Sequence, residues 1–159
     1  MQTTAPNVYA SGDVAETYDF IINQNRALPL WPLAVLEGQV AGYNMAGKKT
    51  TYDGGTNMSS LKYFGVPIVS IGLANPKEDP SLETLVKQDL EHDVYKKLVL
   101  RNNVIVGMTL VNCIERAGVL YYLIKNAVNV KKFKQQLLSD DFCLATLPPA
   151  LQRKMCVVQ

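Results

Sequence analysis

The chain has 159 residues, 48% of them hydrophobic and 19% charged, and its 16 Lys and Arg against 14 Asp and Glu give a net charge of +2. This composition is typical of a globular protein that is long enough to bury a core, and the balanced charge gives no electrostatic case for nucleic acid or a membrane surface. We find no apolar stretch of the ~18 residues that a membrane span needs and no signal-peptide pattern. Because Cys113, Cys143 and Cys156 form no CxxC pair, we expect reduced thiols, small apolar core residues and a cytoplasmic location.

The first third of the chain predicts a strand, a turn and a helix. Residues 7–11 are a short apolar strand candidate, and Gly12 and Asp13 follow as a turn. After a loop, residues 31–45 predict a helix with Pro32 in its first turn. The expected apolar stripe of this helix consists of Leu33, Leu36, Val40 and Ala41.

The glycines near the end of that helix invite comparison with a P-loop. The segment from Gly42 to Lys48 nearly matches one, but Lys49 stands where a magnesium-binding Ser or Thr is needed. Termination of a helix by glycine is the better interpretation. We expect a domain boundary in the polar connection that follows, so that residues 1–53 form the first domain.

The central part of the chain predicts strands. Residues 62–64 and 66–71 flank Gly65, and residues 82–89 fit either a helix or a strand. Two further strands, 94–100 and 104–111, surround a pair of asparagines, Asn102 and Asn103. Asparagine tolerates the positive φ angles of a tight hairpin turn, so this hairpin is well specified.

The last part of the chain predicts helices. Asn112 is placed to cap a helix over residues 114–127, whose apolar residues lie on more than one face. Residues 131–138 suggest a short basic helix, and Pro148 and Pro149 interrupt the tail before another short apolar-basic stretch. The elements together predict an α+β fold in which a largely antiparallel sheet is packed with helices.

The turn at Gly12 and Asp13 carries the clearest chemical signal. A strand that runs into Gly-Asp places a carboxylate beside a backbone without a Cβ atom, where it can accept hydrogen bonds from a sugar hydroxyl. An ordinary strand followed by a turn explains these residues equally well.

Residues 7–16 resemble the second flavin motif of the two-dinucleotide-fold flavoproteins. The resemblance implies that Asp13 contacts the ribityl chain of FAD and that Gly12 allows a close backbone approach. Residues 30–47 resemble the next helix of these proteins, whose N-terminus points toward the flavin ring, so Trp31 and Pro32 become candidate cofactor-binding residues. A helix N-terminus carries partial positive charge that stabilises a reduced flavin. The alternative for Trp31 is an amphipathic residue at a helix start.

Later segments resemble the interface domain of pyridine nucleotide-disulfide oxidoreductases, in the branch with rubredoxin reductases, NADH oxidases, coenzyme A disulfide reductases and nitrite reductase large subunits. These segments are residues 60–66, 95–100, 106–108 and 115–119. The resemblance implies that residues 1–53 are a strand-helix remnant of the FAD-binding fold. It also implies an interface domain over residues 54–140 that forms a homodimer, with a tail over 141–159. The Gly-x-Gly-x-x-Gly motifs of the family are missing, so NAD(P)H would bind only through other domains.

We therefore expect the C-terminal part of a flavin-dependent NAD(P)H oxidoreductase, inactive by itself, with no catalytic residue and no metal site. Its partners would be a second copy and the remaining FAD and NAD domains of the parent. The alternative is a stand-alone, non-catalytic assembly module that pairs with a separate flavoprotein subunit. A small enzyme with Cys113 or Cys143 as nucleophile is disfavoured, because His92 is the only histidine and lies in a polar stretch.

Overall fold

The computed structural model describes residues 1–156. The chain divides into two compact units: unit 1 is Met1–Asn57 and unit 2 is Met58–Gln159. The last three residues of the predicted tail, 157–159, lie outside the described residues.

Unit 1 consists of a turn, a hairpin and a helix. A 3₁₀ turn spans Gly12–Val14, β1 spans Glu16–Asp19, β2 spans Gln24–Ala27 and α1 spans Trp31–Met45. β1 and β2 pair antiparallel, where the sequence predicted a loop. The inward residues of β1 are polar, so the apolar alternation that usually marks a strand is missing.

Helix α1 has the predicted bounds, with Pro32 in its first turn. It ends at Gly47, whose φ of +82° lies in the left-handed region that favours glycine. The Lys48 N–H donates to the Tyr43 carbonyl at 2.9 Å and the Gly47 N–H donates to the Asn44 carbonyl at 3.0 Å. This pair of bonds is a Schellman motif, so the glycines end a helix, as predicted.

Unit 2 is built on a five-stranded antiparallel sheet. Its strands are β3 (Met58–Tyr63), β4 (Val66–Gly72), β5 (Leu82–Asp89), β6 (Val94–Arg101) and β7 (Val104–Val111). Their order in the sheet is β3-β4-β7-β6-β5. The ambiguous segment 82–89 is therefore an edge strand, because all eight of its residues pair with β6. The predicted α+β fold class is confirmed.

Two-residue turns set the register of this sheet. Asn102 and Asn103 join β6 to β7 with φ angles of +52° and +61°, which confirms the predicted hairpin. Phe64 and Gly65 join β3 to β4 in the same way, with φ angles of +45° and +87°. Two consecutive positive φ angles are the signature of a type I′ turn, whose twist matches that of the paired strands.

A helix packs against the centre of the sheet. α2 spans Ala117–Lys125 and contacts β7. The helix buries Leu120, Leu123 and Ile124, and the paired strand residues Leu98 and Met108 are completely buried. Burial of such side chains stabilises the fold by roughly 1.5–3 kcal/mol each relative to exposure, so this layer is the core of unit 2.

An acidic residue that follows the sheet in the chain, Asp140, binds across two strands. Lys87 of β5 and Lys96 of β6 lie directly opposite each other, an arrangement that like charges destabilise. Asp140 accepts a hydrogen bond from each lysine, at 2.5 Å from Lys87 and 2.7 Å from Lys96. One carboxylate thus offsets the repulsion and fastens the chain around residue 140 to the sheet.

Three local predictions were wrong. Residues 7–11 form no strand but a single bridge between Tyr9 and Gln2. Asn112 caps no helix: its φ is +56° and its side-chain amide donates to the His92 carbonyl, while a 3₁₀ turn at Ile114–Arg116 precedes α2. Residues 131–138 contain only a 3₁₀ turn at Lys134–Gln136, and Phe133 and Leu137 on either side of it are buried.

A third helix lies in the described part of the tail. α3 spans Pro149–Cys156. Of the two prolines predicted to interrupt the tail, Pro148 precedes this helix and Pro149 is its first residue, a position that tolerates proline. Among residues 1–156, no helix has the length and apolar content that a membrane crossing requires.

Candidate functional site

The candidate site begins with the turn at Gly12. Gly12 has a φ of +75°, a conformation that residues with a Cβ atom rarely adopt. The Ala15 N–H donates to the Gly12 carbonyl at 2.9 Å and closes the turn. Asp13 follows directly and its side chain is exposed. A carboxylate on a short, closed turn is available to an outside hydrogen-bond donor.

The second part of the site is the start of α1. Trp31 is 80% exposed and Pro32 is exposed beside it. Leu30 precedes the helix and makes no capping hydrogen bond through its side chain. The Leu33 and Ala34 N–H groups both donate to the Leu30 carbonyl, at 3.0 and 2.9 Å, and Pro32 has no N–H. The start of α1 therefore attracts a partner mainly through the positive end of the helix dipole and less through free N–H donors.

The structure brings these two parts together inside unit 1. A Cβ atom built on Gly12 would lie 3.5 Å from the Ala34 Cβ, and one built on Gly38 would lie 3.9 Å from the Ser11 Oγ. Both distances are ordinary van der Waals contacts, so residues 11 and 12 lie against small residues in the first turns of α1. The turn that carries Asp13 is thus fixed near the helix end that carries Trp31 and Pro32.

Comparison with known proteins identifies the second unit. Residues 58–128 match the rubredoxin NAD+ reductase C-terminal domain. The match confirms the predicted resemblance to the C-terminal part of pyridine nucleotide-disulfide oxidoreductases. It lies within unit 2 and includes the whole five-stranded sheet and α2.

Relatives of this domain extend the resemblance into unit 1. The chain is 30% identical over 161 residues to an NADH oxidase of Methanocaldococcus jannaschii, an alignment that covers 94% of this chain and 35% of that protein. It is 42% identical over 73 residues to a CoA-dependent NAD(P)H sulfur oxidoreductase of Pyrococcus furiosus, covering 46% of this chain and 16% of that protein. The matches span about a third or less of these curated relatives.

A solved structure shows the same fold. The FAD-dependent pyridine nucleotide-disulphide oxidoreductase of Desulfovibrio vulgaris aligns with a TM-score of 0.63 at 18% identity, covering 83% of this chain and 37% of that one. At this identity the likeness establishes the fold alone. The antiparallel sheet with its packed helices is therefore a known arrangement.

The sequence analysis missed a buried carboxylate behind the Gly12 turn. Of the predicted stripe of α1, Leu33, Val40 and Ala41 are buried, but Leu36 is 50% exposed and Glu37 is buried in its place. The Glu37 Oε2 accepts a hydrogen bond from the Gly12 N–H at 2.8 Å. A signal was present, since Glu37 stands four residues after Leu33 and three before Val40, on the apolar side of the helix.

A groove of unit 1 lies apart from the candidate residues. The groove has a volume of about 670 Å³ and is bordered by polar residues that include Glu16, Tyr18 and Asn25. None of Gly12, Asp13, Trp31 and Pro32 lines it. Glu16 is the only carboxylate that lines this groove. The candidate residues are brought together by contacts between the Gly12 turn and α1, and Glu16 takes no part in those contacts. The candidate site is therefore a surface turn beside a helix end and not a closed pocket.

The cysteines do not form a catalytic site in the described residues. Cys113 and Cys143 are half-buried and Cys156 is exposed, so none is the core residue that we predicted. Burial raises the pKa of the Cys113 thiol, which disfavours the thiolate that a nucleophile needs. The exposed ring of His92 is bound through Nδ1 to the Asp89 carboxylate at 2.8 Å.

Proposed function

We propose that this chain supplies part of an FAD site and a subunit interface to a flavin-dependent NAD(P)H oxidoreductase. Residues 1–53 would contribute to the FAD site and residues 54–140 would form the interface domain, followed by the tail. The observation that carries the proposal is the Gly12 turn, which is held against the start of α1 and presents an exposed carboxylate at Asp13.

The residues of the turn suit the sugar part of FAD. Asp13 would accept hydrogen bonds from ribityl hydroxyl groups, and Gly12 would let the ligand approach the backbone because it has no side chain. Trp31 and Pro32 would lie toward the flavin ring, where the positive end of the α1 dipole favours negative charge. FAD itself would supply the redox chemistry, with electrons from NAD(P)H bound by other domains.

The exposed apolar surface of α1 indicates that further protein surrounds this site. Several of its large apolar residues are exposed by 42% or more: Trp31, Val35, Leu36, Tyr43 and Met45. An apolar set of this kind is typical of a surface that another protein part covers. We propose that the remaining FAD and NAD domains cover it. The alternative is that a separate flavoprotein subunit covers this surface.

Unit 2 supports the interface part of the proposal. Its exposed large apolar residues are Leu61, Tyr63, Phe64, Val86 and Leu90, and Phe64 is 90% exposed. We propose that a second copy of the chain covers part of this surface in a homodimer. We also propose the cytoplasm as its compartment, since all three cysteines are free thiols.

Flavin retention tests the proposed site. The purified chain is incubated with excess FAD and desalted, and its visible absorption spectrum is recorded. We expect retained flavin, and we expect Asp13→Ala to weaken FAD binding at least about tenfold, because a charged acceptor is lost. Asp53→Ala is the matched control, since Asp53 is an exposed aspartate of the same unit.

Each result has a distinct meaning. Equal losses of flavin in both variants would contradict the role of Asp13. A colourless wild-type protein would contradict a usable FAD site in these residues and leave only the interface part of the proposal.

A further inference from the structure

Glu37 is a charged residue in an apolar environment. It is 1% exposed and belongs to the buried stripe of α1, together with Leu33, Val40 and Ala41. A buried carboxyl group destabilises a fold unless its oxygen atoms are hydrogen-bonded. The partners of Glu37 therefore show what the residue does in the structure.

Both carboxylate oxygens bind the segment that carries Asp13. The Gly12 N–H donates to Oε2 at 2.8 Å and the Thr17 hydroxyl donates to Oε1 at 3.0 Å. Gly12 opens the 3₁₀ turn and Thr17 lies just beyond it, in β1. One buried side chain thus holds the chain on both sides of Asp13.

The same segment also fits the surface of α1. A Cβ atom built on Gly12 would lie 3.5 Å from the Ala34 Cβ, and one built on Gly38 would lie 3.9 Å from the Ser11 Oγ, so the segment runs close to the helix at its small residues. Close packing of this kind allows the turn to approach the helix but does not fix the orientation of the turn. The two hydrogen bonds to Glu37 fix that orientation, because each requires a defined geometry.

We propose that Glu37 is the positioning residue of the flavin site: it locks the Gly12 turn onto α1 and so fixes where the Asp13 carboxylate stands relative to Trp31. This inference rests on the proposed function. Glu37 acts through the turn and does not touch the ligand, since its side chain is buried.

Three variants test the assignment. Glu37→Leu keeps the volume but removes both acceptors. Glu37→Gln restores the contacts, because its carbonyl accepts from the Gly12 N–H and its amide donates to the Thr17 hydroxyl. Val40→Ala is the matched control, since Val40 is buried on the same stripe of α1 and does not bind the turn.

Flavin affinity and amide exchange are measured on the full chain, with folding followed by circular dichroism. We expect Glu37→Leu to weaken FAD binding at least about tenfold and Glu37→Gln to stay within about threefold of wild type. In flavin-free protein, Glu37→Leu is expected to accelerate exchange of the Gly12 and Ala15 amides at least about tenfold, and Val40→Ala is not.

The two measurements separate two kinds of failure. If Glu37→Leu loses no more affinity than Val40→Ala at an equal loss of melting temperature, the positioning role is overturned. If the wild-type chain retains no FAD, the proposed function fails, and amide exchange alone decides whether Glu37 positions the turn. Unchanged exchange in Glu37→Leu would overturn that role as well.

Discussion

The sheet of unit 2 has one position where a single methyl group should not fit. Gly107 lies in β7, paired with Val99 on one side and Gly72 on the other. A Cβ atom built on Gly107 would lie 2.2 Å from the Leu73 carbonyl oxygen and 3.0 Å from the Ala74 nitrogen. The chain leaving β4 therefore crosses directly over this glycine.

We expect Gly107→Ala to lower the free energy of unfolding by about 2–4 kcal/mol. The new methyl group would stand more than about 1 Å inside ordinary van der Waals contact, which begins at 3.4 Å, and the clashing atoms are backbone. Leu73 cannot retreat freely, because its N–H donates to the Val106 carbonyl at 2.9 Å. Relief of the clash would strain or break that hydrogen bond.

Urea unfolding followed by circular dichroism measures this loss. Tryptophan fluorescence is unsuitable, because the only tryptophan, Trp31, belongs to unit 1. Gly118→Ala is the control: no atom lies within 4 Å of its new methyl group, and alanine in α2 should stabilise the protein by up to about 1 kcal/mol. A Gly107→Ala protein within about 0.5 kcal/mol of wild type would refute the clash.

Two further predictions concern Asp140 and the assembly. The Lys87 hydrogen bond, followed by that of Lys96, lowers the pKa of Asp140 from 3.8 to about 2. A lowered pKa means that the stability contributed by Asp140 is fully present above 3.8 and lost as the pH falls through about 2. Asp140→Asn should therefore be less stable than wild type at neutral pH, with a difference that shrinks on acid titration; a constant difference would contradict this. For the assembly, size-exclusion chromatography with light scattering should give twice the mass of one chain, and a strict monomer at high concentration would contradict the proposed homodimer.

Local sequence signals were sufficient where neighbouring residues decide the structure. The bounds of α1 followed from Pro32 at its start and Gly47 just after its end, which act through backbone geometry alone. The hairpin at Asn102 and Asn103 followed from side chains that tolerate positive φ. The resemblance to the reductase C-terminal domain also depends on motifs in their order along the chain and requires no knowledge of tertiary contacts.

The structure was needed where pairing partners decide. Residues 82–89 became a strand because β6 offers a complete set of backbone partners, which outweighs a pattern that also suits a helix. The β1–β2 hairpin stayed hidden because Asp19 faces inward, where Arg26 binds its carboxylate at 2.7 Å. A strand whose inward residues are polar leaves no apolar alternation in the sequence.

The sequence by itself determined the Gly12 turn, helix α1 and the type I′ hairpin of unit 2, because these depend on residues close together in the chain. Only the tertiary structure showed that Glu37 holds the Gly12 turn, since that hydrogen bond joins residues 25 positions apart. It likewise decided how far each cysteine is exposed and how Asp140 binds two lysines of the sheet. Long-range contacts of this kind arise from packing, and a polar side chain does not reveal its partner until the fold brings the two together.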